Sequence, residues 1–333
     1  MDAHRVESLK PTLTQMGYCG LEAAESRCGI VTRSTGSWYD VLSDGIHFSC
    51  RARGRIRLKE VRSTNPIAVG DAVLFVPEGP DIGVITAIEP RRNYMIRRAT
   101  NLSRESHIIA ANLDLAAVVV TLAAPPTPLE FVDRYLATAQ AYGIPQLVIL
   151  NKQDCPEEQD EAVYLGIRAI YENAGATVVE LSASTGLGLE RLCALLEGKT
   201  TLLAGHSGTG KSSILNALEP TLALRTAPLS ESHGLGQHTT TFAEMYPLSI
   251  APNTYVIDTP GIKGFGVIDF DRHEVSHFFP EIFTTSKQCK YPDCLHNTEP
   301  GCAVVAAVEC GNIPYSRYQS YLSILCDEGG KYR

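Results

Sequence analysis

A short glycine-rich segment, GHSGTGKSS from Gly205 to Ser213, carries the clearest chemical signal in this 333-residue chain. It fits the pattern G-x-x-x-x-G-K-[ST], in which glycines let backbone N–H groups surround phosphate oxygens. In that pattern Lys211 reaches the β- and γ-phosphates, and the Ser212 hydroxyl binds Mg²⁺. An apolar run (TTLLAG) precedes the segment and a helical run (KSSILNAL) follows it, as a phosphate loop requires. The predicted phosphate-binding residues are Gly205, His206, Ser207, Gly208, Thr209, Gly210, Lys211, Ser212 and Ser213, with His206 as a spacer.

Two polar segments upstream indicate the base of the nucleotide. Asn151-Lys152-Gln153-Asp154 ends the apolar run IPQLVIL, and the Asp154 carboxylate can accept hydrogen bonds from guanine N1–H and the 2-amino group. Adenine has neither donor and would leave this carboxylate without a partner. Asn151 is expected to tie the segment to the phosphate loop, and the Lys152 stem to lie along the base. Ser182 and Ala183 end the next strand, where a backbone N–H can donate to guanine O6. The predicted ligands are therefore GTP and GDP.

Two segments downstream of the phosphate loop are expected to respond to the γ-phosphate. In GLGQHTTT, from Gly234 to Thr241, Thr240 is predicted to bind Mg²⁺ and the γ-phosphate and to release them after hydrolysis. In Asp258-Thr259-Pro260-Gly261, Asp258 is predicted to hold Mg²⁺ through water and the Gly261 N–H to contact the γ-phosphate. The predicted Mg²⁺ site that accompanies GTP thus comprises Ser212, Thr240 and Asp258.

The residue that assists hydrolysis must differ from the glutamine that many small GTPases use. Many small GTPases orient the attacking water with a glutamine directly after D-x-x-G, and this chain has Ile262 there. Because isoleucine cannot hydrogen-bond to water, His238 in the switch segment is the candidate that orients water or accepts its proton. His238 and Thr240 are therefore the predicted catalytic residues. The alternative is that His238 is structural and bonds to the backbone.

A second chemical signal lies near the C-terminus, in the spacing Cys289-x4-Cys294-x-His296-x5-Cys302. Three thiolates and one imidazole are the ligands of a closed, tetrahedral structural zinc site. Such close spacing suits a small loop that cannot build a core by itself. Cys310 is the one alternative ligand. The other cysteines are scattered, and in a chain without an export signal we expect them to be reduced thiols.

Four regions of different texture position these residues. We predict an N-terminal extension at residues 1–25, an all-β barrel of the OB type at 26–99, an α/β domain at 100–269 and a small α-helical zinc-binding domain at 270–333. The barrel region alternates short β-prone runs with turns, as in GIVTRSTGSWYDVL and DIGVITAIEP. From pattern alone, another small all-β barrel with a solvated basic edge remains open.

The barrel region also carries most of the clustered positive charge. One run, IHFSCRARGRIRL, alternates arginine with small or apolar residues at period two, so that one face is charged and the other points inward. We expect the clustered arginines and lysine to form a basic face. They are Arg51, Arg53, Arg55, Arg57, Lys59 and Arg62, and in a second group Arg91, Arg92, Arg97, Arg98 and Arg104.

The third region reads as strands and helices in alternation. Continuous apolar runs such as LDLAAVVVTL are typical of strands that are covered on both faces. Runs such as PLEFVDRYLATAQAYG have the helical period. This alternation predicts a mostly parallel, doubly wound sheet.

The order of the motifs is unusual. An ordinary GTPase runs from the phosphate loop through the switch threonine and D-x-x-G to N-K-x-D and the serine-alanine loop. Here N-K-Q-D and S-A-S come first, so the domain is predicted to be a circularly permuted P-loop GTPase. The second switch, from Gly261, then leads directly into the C-terminal region, and nucleotide state is expected to be coupled to it.

The permuted order, GHSGTGKSS, the HTTT switch and the trailing Cys/His site closely resemble the RsgA family (also called YjeQ or YloQ) from about Gly29 onward. The resemblance implies an N-terminal OB domain, a permuted GTPase core and a C-terminal zinc domain with the same four ligands. It also implies a GTPase that binds the small ribosomal subunit and its rRNA, assists late maturation, and is stimulated by the subunit.

Composition sets limits on other functions. The chain is 44% hydrophobic and 20% charged, with a net charge of −8, which argues against indiscriminate nucleic-acid binding by the whole surface. No apolar run approaches the roughly 20 residues of a membrane span, and the start lacks the features of a signal peptide. We therefore expect a cytoplasmic protein without membrane contact, and we expect it to be a monomer. Rival functions are a nucleotide-gated RNA-binding scaffold and a metabolic P-loop ATPase or kinase, and the guanine motifs disfavour the latter.

Overall fold

The computed structural model describes residues 26–53, 66–98, 106–155, 160–225, 243–259 and 271–326. These residues form a barrel, a central α/β domain and a C-terminal group of short helices. No helix within these ranges has the length and apolar character needed to cross a membrane.

Five strands form the N-terminal barrel. They are β1 (Arg27–Ser34), β2 (Tyr39–Ser43), β3 (Ile46–Ala52), β4 (Ala72–Pro77) and β5 (Ile82–Ile88). The pairing order is β1-β2-β3-β5-β4, and β4 pairs again with β1, which closes the barrel. The side chains of Val41, Phe48 and Ile85 fill its interior. This arrangement confirms the prediction of an OB-like barrel.

The period-two pattern of β3 is present where the structure describes it. Phe48 and Cys50 point into the barrel core, whereas Arg51 and Arg53 are exposed. The Arg51 guanidinium lies 4.5 Å from the ring centroid of exposed Trp38. Arg55, Arg57, Lys59, Arg62 and Arg104 lie outside the described residues, so the remainder of the expected basic face stays a prediction.

The second arginine group was interpreted wrongly at Arg91. Its guanidinium donates to both carboxylate oxygens of Asp71, at 2.7 and 2.6 Å, and to the carbonyl of Pro66. Both partner side chains are buried. Arg92 pairs with Asp114 at 2.8 Å, although it is exposed. Sequence period alone could not reveal these acidic partners, which make Arg91 a structural residue of the barrel rather than part of a basic face.

A two-stranded antiparallel sheet follows the barrel. It consists of β6 (Tyr94–Arg98) and β7 (Ser106–Ala111), and an isolated bridge joins Val69 to Ala110. β7 departs from the prediction of an α/β region that starts at residue 100, because it pairs with β6 outside the parallel sheet.

The central domain is built on six strands in the order β10-β9-β8-β11-β13-β12. The strands are β8 (Leu115–Val120), β9 (Gln146–Leu150), β10 (Thr177–Glu180), β11 (Thr200–Gly205), β12 (Glu244–Pro247) and β13 (Tyr255–Asp258). Neighbouring strands are parallel except β12, which is antiparallel to β13. The prediction of a mostly parallel sheet is confirmed.

Helices cover both faces of this sheet. They are α1 (Leu129–Ala141), α2 (Glu161–Asn173), α3 (Leu189–Leu196) and α4 (Lys211–Leu218), with a 3₁₀ turn at Pro220–Leu222. Residues alternate along β8, so that Val118 packs with α1 and α2 while Val119 packs with α3 and α4. Two separate apolar cores result, one on each face, which is the doubly wound arrangement.

The C-terminal region consists of a 3₁₀ turn (Val275–Phe278), α5 (Pro280–Ser286), α6 (Ala303–Glu309) and α7 (Tyr315–Leu325). These helices share a small core that includes Phe279 and Tyr321, and Ala137 of α1 packs into the same core. The prediction of short helices around the Cys/His cluster is confirmed.

Candidate nucleotide site and metal centre

The phosphate loop connects β11 to α4 at the carboxyl edge of the parallel strands. Its last glycine, Gly210, has a φ of +96°, and a Cβ there would lie 2.4 Å from the Asn151 side-chain nitrogen. Only glycine meets both conditions, because the left-handed backbone strains other residues and the approach leaves no room. The loop therefore closes against the segment at Asn151 and leaves Ser207 and Gly208 exposed.

Lys211 stabilises the closed loop. Its ammonium group donates to the carbonyls of Gly205, at 2.6 Å, and His206, at 3.0 Å. An ammonium group has three N–H donors, so one remains for a phosphate oxygen. Burial lowers the pKa of Lys211, and Asp258 opposes that shift. Ser212 and Ser213 follow in the first turn of α4.

Asp258, at the end of β13, has one carboxylate oxygen that could accept a hydrogen bond from a ligand or water. Its Oδ1 atom is buried and has no hydrogen-bond partner within the described residues. Burial raises the pKa of Asp258, while the neighbouring Lys211 lowers it. A buried carboxylate oxygen without a donor is costly unless a ligand or water supplies one. This oxygen fits a hydrated Mg²⁺, because Mg²⁺ retains several of its waters.

Asn151 joins three loops that are far apart in sequence. Its side-chain nitrogen donates to the Thr209 carbonyl at 2.8 Å, and its side-chain oxygen accepts from the Ala183 N–H at 3.3 Å. The Asn151 side chain is buried. The next residue, Lys152, has a φ of +67° and donates through Nζ to the Ala124 carbonyl. The N-K-Q-D and S-A-S segments are thereby fixed to the phosphate loop.

The Asp154 carboxylate is exposed and oriented by two hydroxyls. Ser184 donates to Oδ2 at 2.6 Å and Ser182 donates to Oδ1 at 2.7 Å. These two hydrogen bonds lower the pKa of Asp154, so the carboxylate is ionised at neutral pH. Each oxygen retains a second lone pair for a ligand N–H. The sequence analysis did not assign Ser184, although its place in S-A-S was a usable signal.

His206 packs away from the open side of the phosphate loop. Its ring makes an edge contact with Phe131 of α1, with centroids 4.4 Å apart. Burial lowers the pKa of His206, and Lys211 lowers it further, which keeps the ring neutral near pH 7. Phe131 is a contact that the sequence analysis missed, because nothing in the α1 pattern distinguishes it from a core residue.

Three predicted residues lie outside the described residues: His238, Thr240 and Gly261. The part of the chain that the structure describes therefore brings together the phosphate loop, Asp258, Asn151, Asp154 and Ser182. The assigned binding and catalytic roles stay predictions.

The four C-terminal ligand candidates form one cluster, with all ligand atoms within 4.8 Å of one another. The Cys289 and Cys302 sulfurs each lie 3.5 Å from His296 Nδ1 and 3.9 Å from each other. A tetrahedral Zn²⁺, with bonds of about 2.3 Å to sulfur and about 2.0 Å to nitrogen, separates its ligand atoms by about 3.5 to 3.8 Å. The cluster could hold such an ion. Cys310 is exposed at the end of α6 and is not a member of the cluster.

The loop that carries the cluster is held by hydrogen bonds to its backbone. The Glu299 carboxylate accepts from the N–H groups of Leu295, Asn297 and Thr298. Burial acts to raise the Glu299 pKa, but these N–H groups outweigh it and lower the pKa to about 2. Tyr318 of α7 donates to the His296 carbonyl at 2.7 Å. These bonds hold the loop so that its four candidate ligands stay close to one another, as a metal ion would require.

Comparison with known proteins gives consistent matches. A family model described as the RsgA N-terminal domain matches residues 28–85, and one described as the RsgA GTPase matches residues 88–268. A Porphyromonas gingivalis protein named small ribosomal subunit biogenesis GTPase RsgA is 51% identical over 307 residues, which cover 91% of this chain and 98% of that protein.

Two solved structures are also similar over nearly the whole chain. YjeQ from Thermotoga maritima has a TM-score of 0.71 and 32% identity, with 92% of this chain and 99% of that chain covered. YloQ, described as a circularly permuted GTPase, has a TM-score of 0.66 and 28% identity, with 91% of this chain and 94% of that chain covered.

Proposed function

The chain belongs to the RsgA family of GTPases, and on that premise we propose that it binds the small ribosomal subunit and hydrolyses GTP during late subunit maturation. The observation that carries the proposal is the Asn151 side chain. It fixes the guanine-type loop to the phosphate loop in the permuted chain order, at 2.8 Å from the Thr209 carbonyl. A phosphate loop and a carboxylate complementary to guanine then face one nucleotide.

This geometry supports the following proposed nucleotide contacts. Backbone N–H groups from Gly205 to Ser213 surround the phosphates, and the third donor of Lys211 reaches the β- and γ-phosphates. Asp154 reads the base, and the Lys152 stem lies along it. A backbone N–H of the S-A-S segment donates to guanine O6; in this structure the Ala183 N–H, at the centre of that segment, donates to Asn151 Oδ1 at 3.3 Å. Gly261 contacts the γ-phosphate.

Mg²⁺ is proposed to accompany GTP. The ligands would be Ser212, at the start of α4, Thr240 in the switch, and Asp258 through water. Held by these residues, Mg²⁺ would supply positive charge to offset the negative charge of the phosphates during hydrolysis. The Asp258 Oδ1 atom, which has no partner among the described residues, supports this role, because bound water would give that oxygen a donor.

His238 and Thr240 are proposed as the catalytic residues, with His238 orienting the attacking water. Subunit contact would order the switch and so raise turnover, a gating effect.

We propose that residues 26–99 form the barrel domain, residues 100–269 the GTPase domain and residues 270–333 the zinc domain. We also propose that the protein is a cytoplasmic monomer. Switch movement after Gly261 would act directly on the zinc domain.

The decisive test measures GTP turnover of the purified protein with and without small ribosomal subunits. We expect slow intrinsic hydrolysis of GTP, no comparable hydrolysis of ATP, and strong stimulation by subunits. Large subunits serve as the matched control and should not stimulate. Binding to small subunits that depends on GTP but leaves turnover unchanged would instead support the rival function, a nucleotide-gated RNA-binding scaffold.

Zinc is proposed as the metal of the Cys289, Cys294, His296 and Cys302 cluster, and the protein is expected to contain about one zinc per chain. Cys294→Ser should lose this zinc and unfold the C-terminal helices more than the GTPase core, because the metal loop anchors Tyr318 and α7. Metal analysis and hydrogen exchange measure both effects. Cys310→Ser is the control and should retain zinc. Stoichiometric zinc in Cys294→Ser would contradict the ligand set.

The barrel is proposed to contact rRNA through its arginines. Reversal of charge at Arg53 and Arg55 should weaken subunit binding and flatten its dependence on salt, by roughly 0.7 to 0.9 in log–log slope for each phosphate that is no longer neutralised. Intrinsic GTP hydrolysis should hardly change. Arg191→Glu, at an exposed position of α3, is the control. If the salt slope of the barrel variant equals that of the parent, the rRNA contacts lie elsewhere, and the C-terminal domain is the first alternative.

A further inference from the structure

The C-terminal domain is joined to the GTPase core by a buried polar contact between two helices. We call this the α1–α7 contact and define it by Glu130, Asp133 and Arg134 of α1 with Arg317, Ser320 and Ser323 of α7. Asp133 accepts from Arg317 Nη1 at 2.9 Å and from Ser320 at 2.5 Å. Ser323 donates to Glu130 at 2.5 Å and accepts from Arg134 at 3.0 Å.

This contact is an unusual place for charge. Asp133, Arg134 and Arg317 have exposed fractions of only 0%, 3% and 2%. Arg317 is held on its other side by Glu281, at 2.7 Å, and its guanidinium lies over the Phe279 ring. Aspartate and arginine are almost never fully buried unless they are paired. Displacement of α7 along α1 would separate the buried Asp133 carboxylate from Arg317. Because an unpaired buried charge is costly, we expect the two helices to move as one body.

The opposite face of α1 rests on the phosphate-binding element. The Tyr135 hydroxyl donates to the Leu202 carbonyl of β11 at 3.1 Å, and the Phe131 ring packs on His206. The His206 carbonyl is one of the two acceptors that hold the Lys211 ammonium. Because packed interiors transmit small displacements, a shift of α1 moves the acceptor that positions Lys211.

The loop that leads into α1 touches the guanine-type segment as well. The Ala124 carbonyl accepts from Lys152 Nζ. The 13-residue helix α1, about 20 Å long at 1.5 Å per residue, therefore contacts the C-terminal domain on one side and the phosphate loop on the other, and the loop before it contacts the guanine-type segment. This path does not use the switch segments.

We propose that the α1–α7 contact couples the C-terminal metal domain to the nucleotide site, with Arg317 acting through α1 as a positioning residue for Lys211 and the Asp154 segment. The inference rests on the proposed binding of GTP, and it names a route for its regulation. Linkage is reciprocal: if metal binding to the C-terminal domain changes nucleotide affinity, the nucleotide must change metal affinity by the same factor.

The test measures the partition of Zn²⁺ between the full-length protein and a chelator of known affinity, at equilibrium, with and without a saturating non-hydrolysable GTP analogue. In the parent we expect the analogue to change the apparent Zn²⁺ affinity by about fivefold or more. We define the ratio as the apparent Zn²⁺ affinity with the analogue compared with that without it. Asp133→Asn keeps the shape of the side chain but removes its charge and one acceptor, and should reduce this ratio to below about twofold. Glu172→Gln, which breaks an exposed ion pair on α2, is the matched control and should keep the parental ratio.

A general loss of stability would weaken metal binding equally with and without nucleotide, so it would leave the ratio unchanged. If Asp133→Asn does not fold, Arg317→Lys decides, because it keeps the buried positive charge but removes the planar fork that joins Asp133 to Glu281. It should reduce the ratio in the same way. A parental ratio in the folded variant, or a ratio near one in the parent, overturns the coupling while GTP binding stands. Failure of the parent to bind the analogue overturns the proposed function and the coupling together.

Discussion

Asp154→Asn is expected to lower the affinity for GTP by about two orders of magnitude or more and to raise that for xanthosine triphosphate. The parental carboxylate accepts from the N1–H and 2-amino groups of guanine. Asparagine replaces one carboxylate oxygen by an NH₂ group, which is a hydrogen-bond donor. This donor would face the guanine 2-amino group, which is also a donor, but it can donate to the O2 atom of xanthine. Ser182 and Ser184 keep the side chain in place, because a rotating hydroxyl can donate or accept. Titration with fluorescent guanine and xanthine nucleotides measures both affinities.

Ser184→Ala is the matched control for this experiment. It removes one hydroxyl that orients Asp154 but leaves the carboxylate and the Ser182 hydrogen bond. We expect a modest loss of GTP affinity, corresponding to about 1 kcal/mol or roughly fivefold, and no gain for the xanthine nucleotide. Equal GTP affinity in Asp154→Asn and the parent would show that this loop does not bind the base.

His238→Ala is expected to bind GTP normally and to lose most of the subunit-stimulated rate, by roughly 10²- to 10⁴-fold. Ile262 leaves the usual water-positioning place apolar, so another polar group must orient the water. His238 lies two residues before Thr240 in the predicted switch, and an ordered switch would bring its ring near the γ-phosphate. Single-turnover hydrolysis with saturating small subunits isolates this step from nucleotide exchange.

Two further variants separate the possible causes. Thr240→Ala should also lose stimulation, but through Mg²⁺ and switch closure, so raised Mg²⁺ should restore part of its rate and none of that of His238→Ala. His273→Ala, an exposed histidine near the C-terminal 3₁₀ turn, is the control and should keep the parental rate. If His238→Ala binds subunits and turns over like the parent, His238 is structural, and the group that orients water comes from the ribosome or the phosphate loop.

Local patterns in the sequence were enough for most of the fold. Apolar runs predicted the buried strands β8 and β9, and helical period predicted α1, because burial on one or both faces imposes these spacings. The strand and helix on either side of GHSGTGKSS lie where the sequence predicted them, since the glycines of this segment meet a local backbone requirement. Motif order predicted the permutation. The strand order with β11 between β8 and β13 agrees with it.

Only the tertiary structure decided which distant side chains meet. Asn151 and Thr209 are 58 residues apart in sequence, and Asp133 and Arg317 are 184 apart. A charged residue in a helical pattern looks like a solvated face until the chain path brings a partner to it. For the same reason the sequence pattern places Arg91 on a basic surface, whereas in the structure its side chain is buried in an ion pair with Asp71. Residue type and period reflect the local requirements of a segment, such as which face is buried. The pairing of distant side chains depends on the path of the whole chain, and that path places the C-terminal helices against α1.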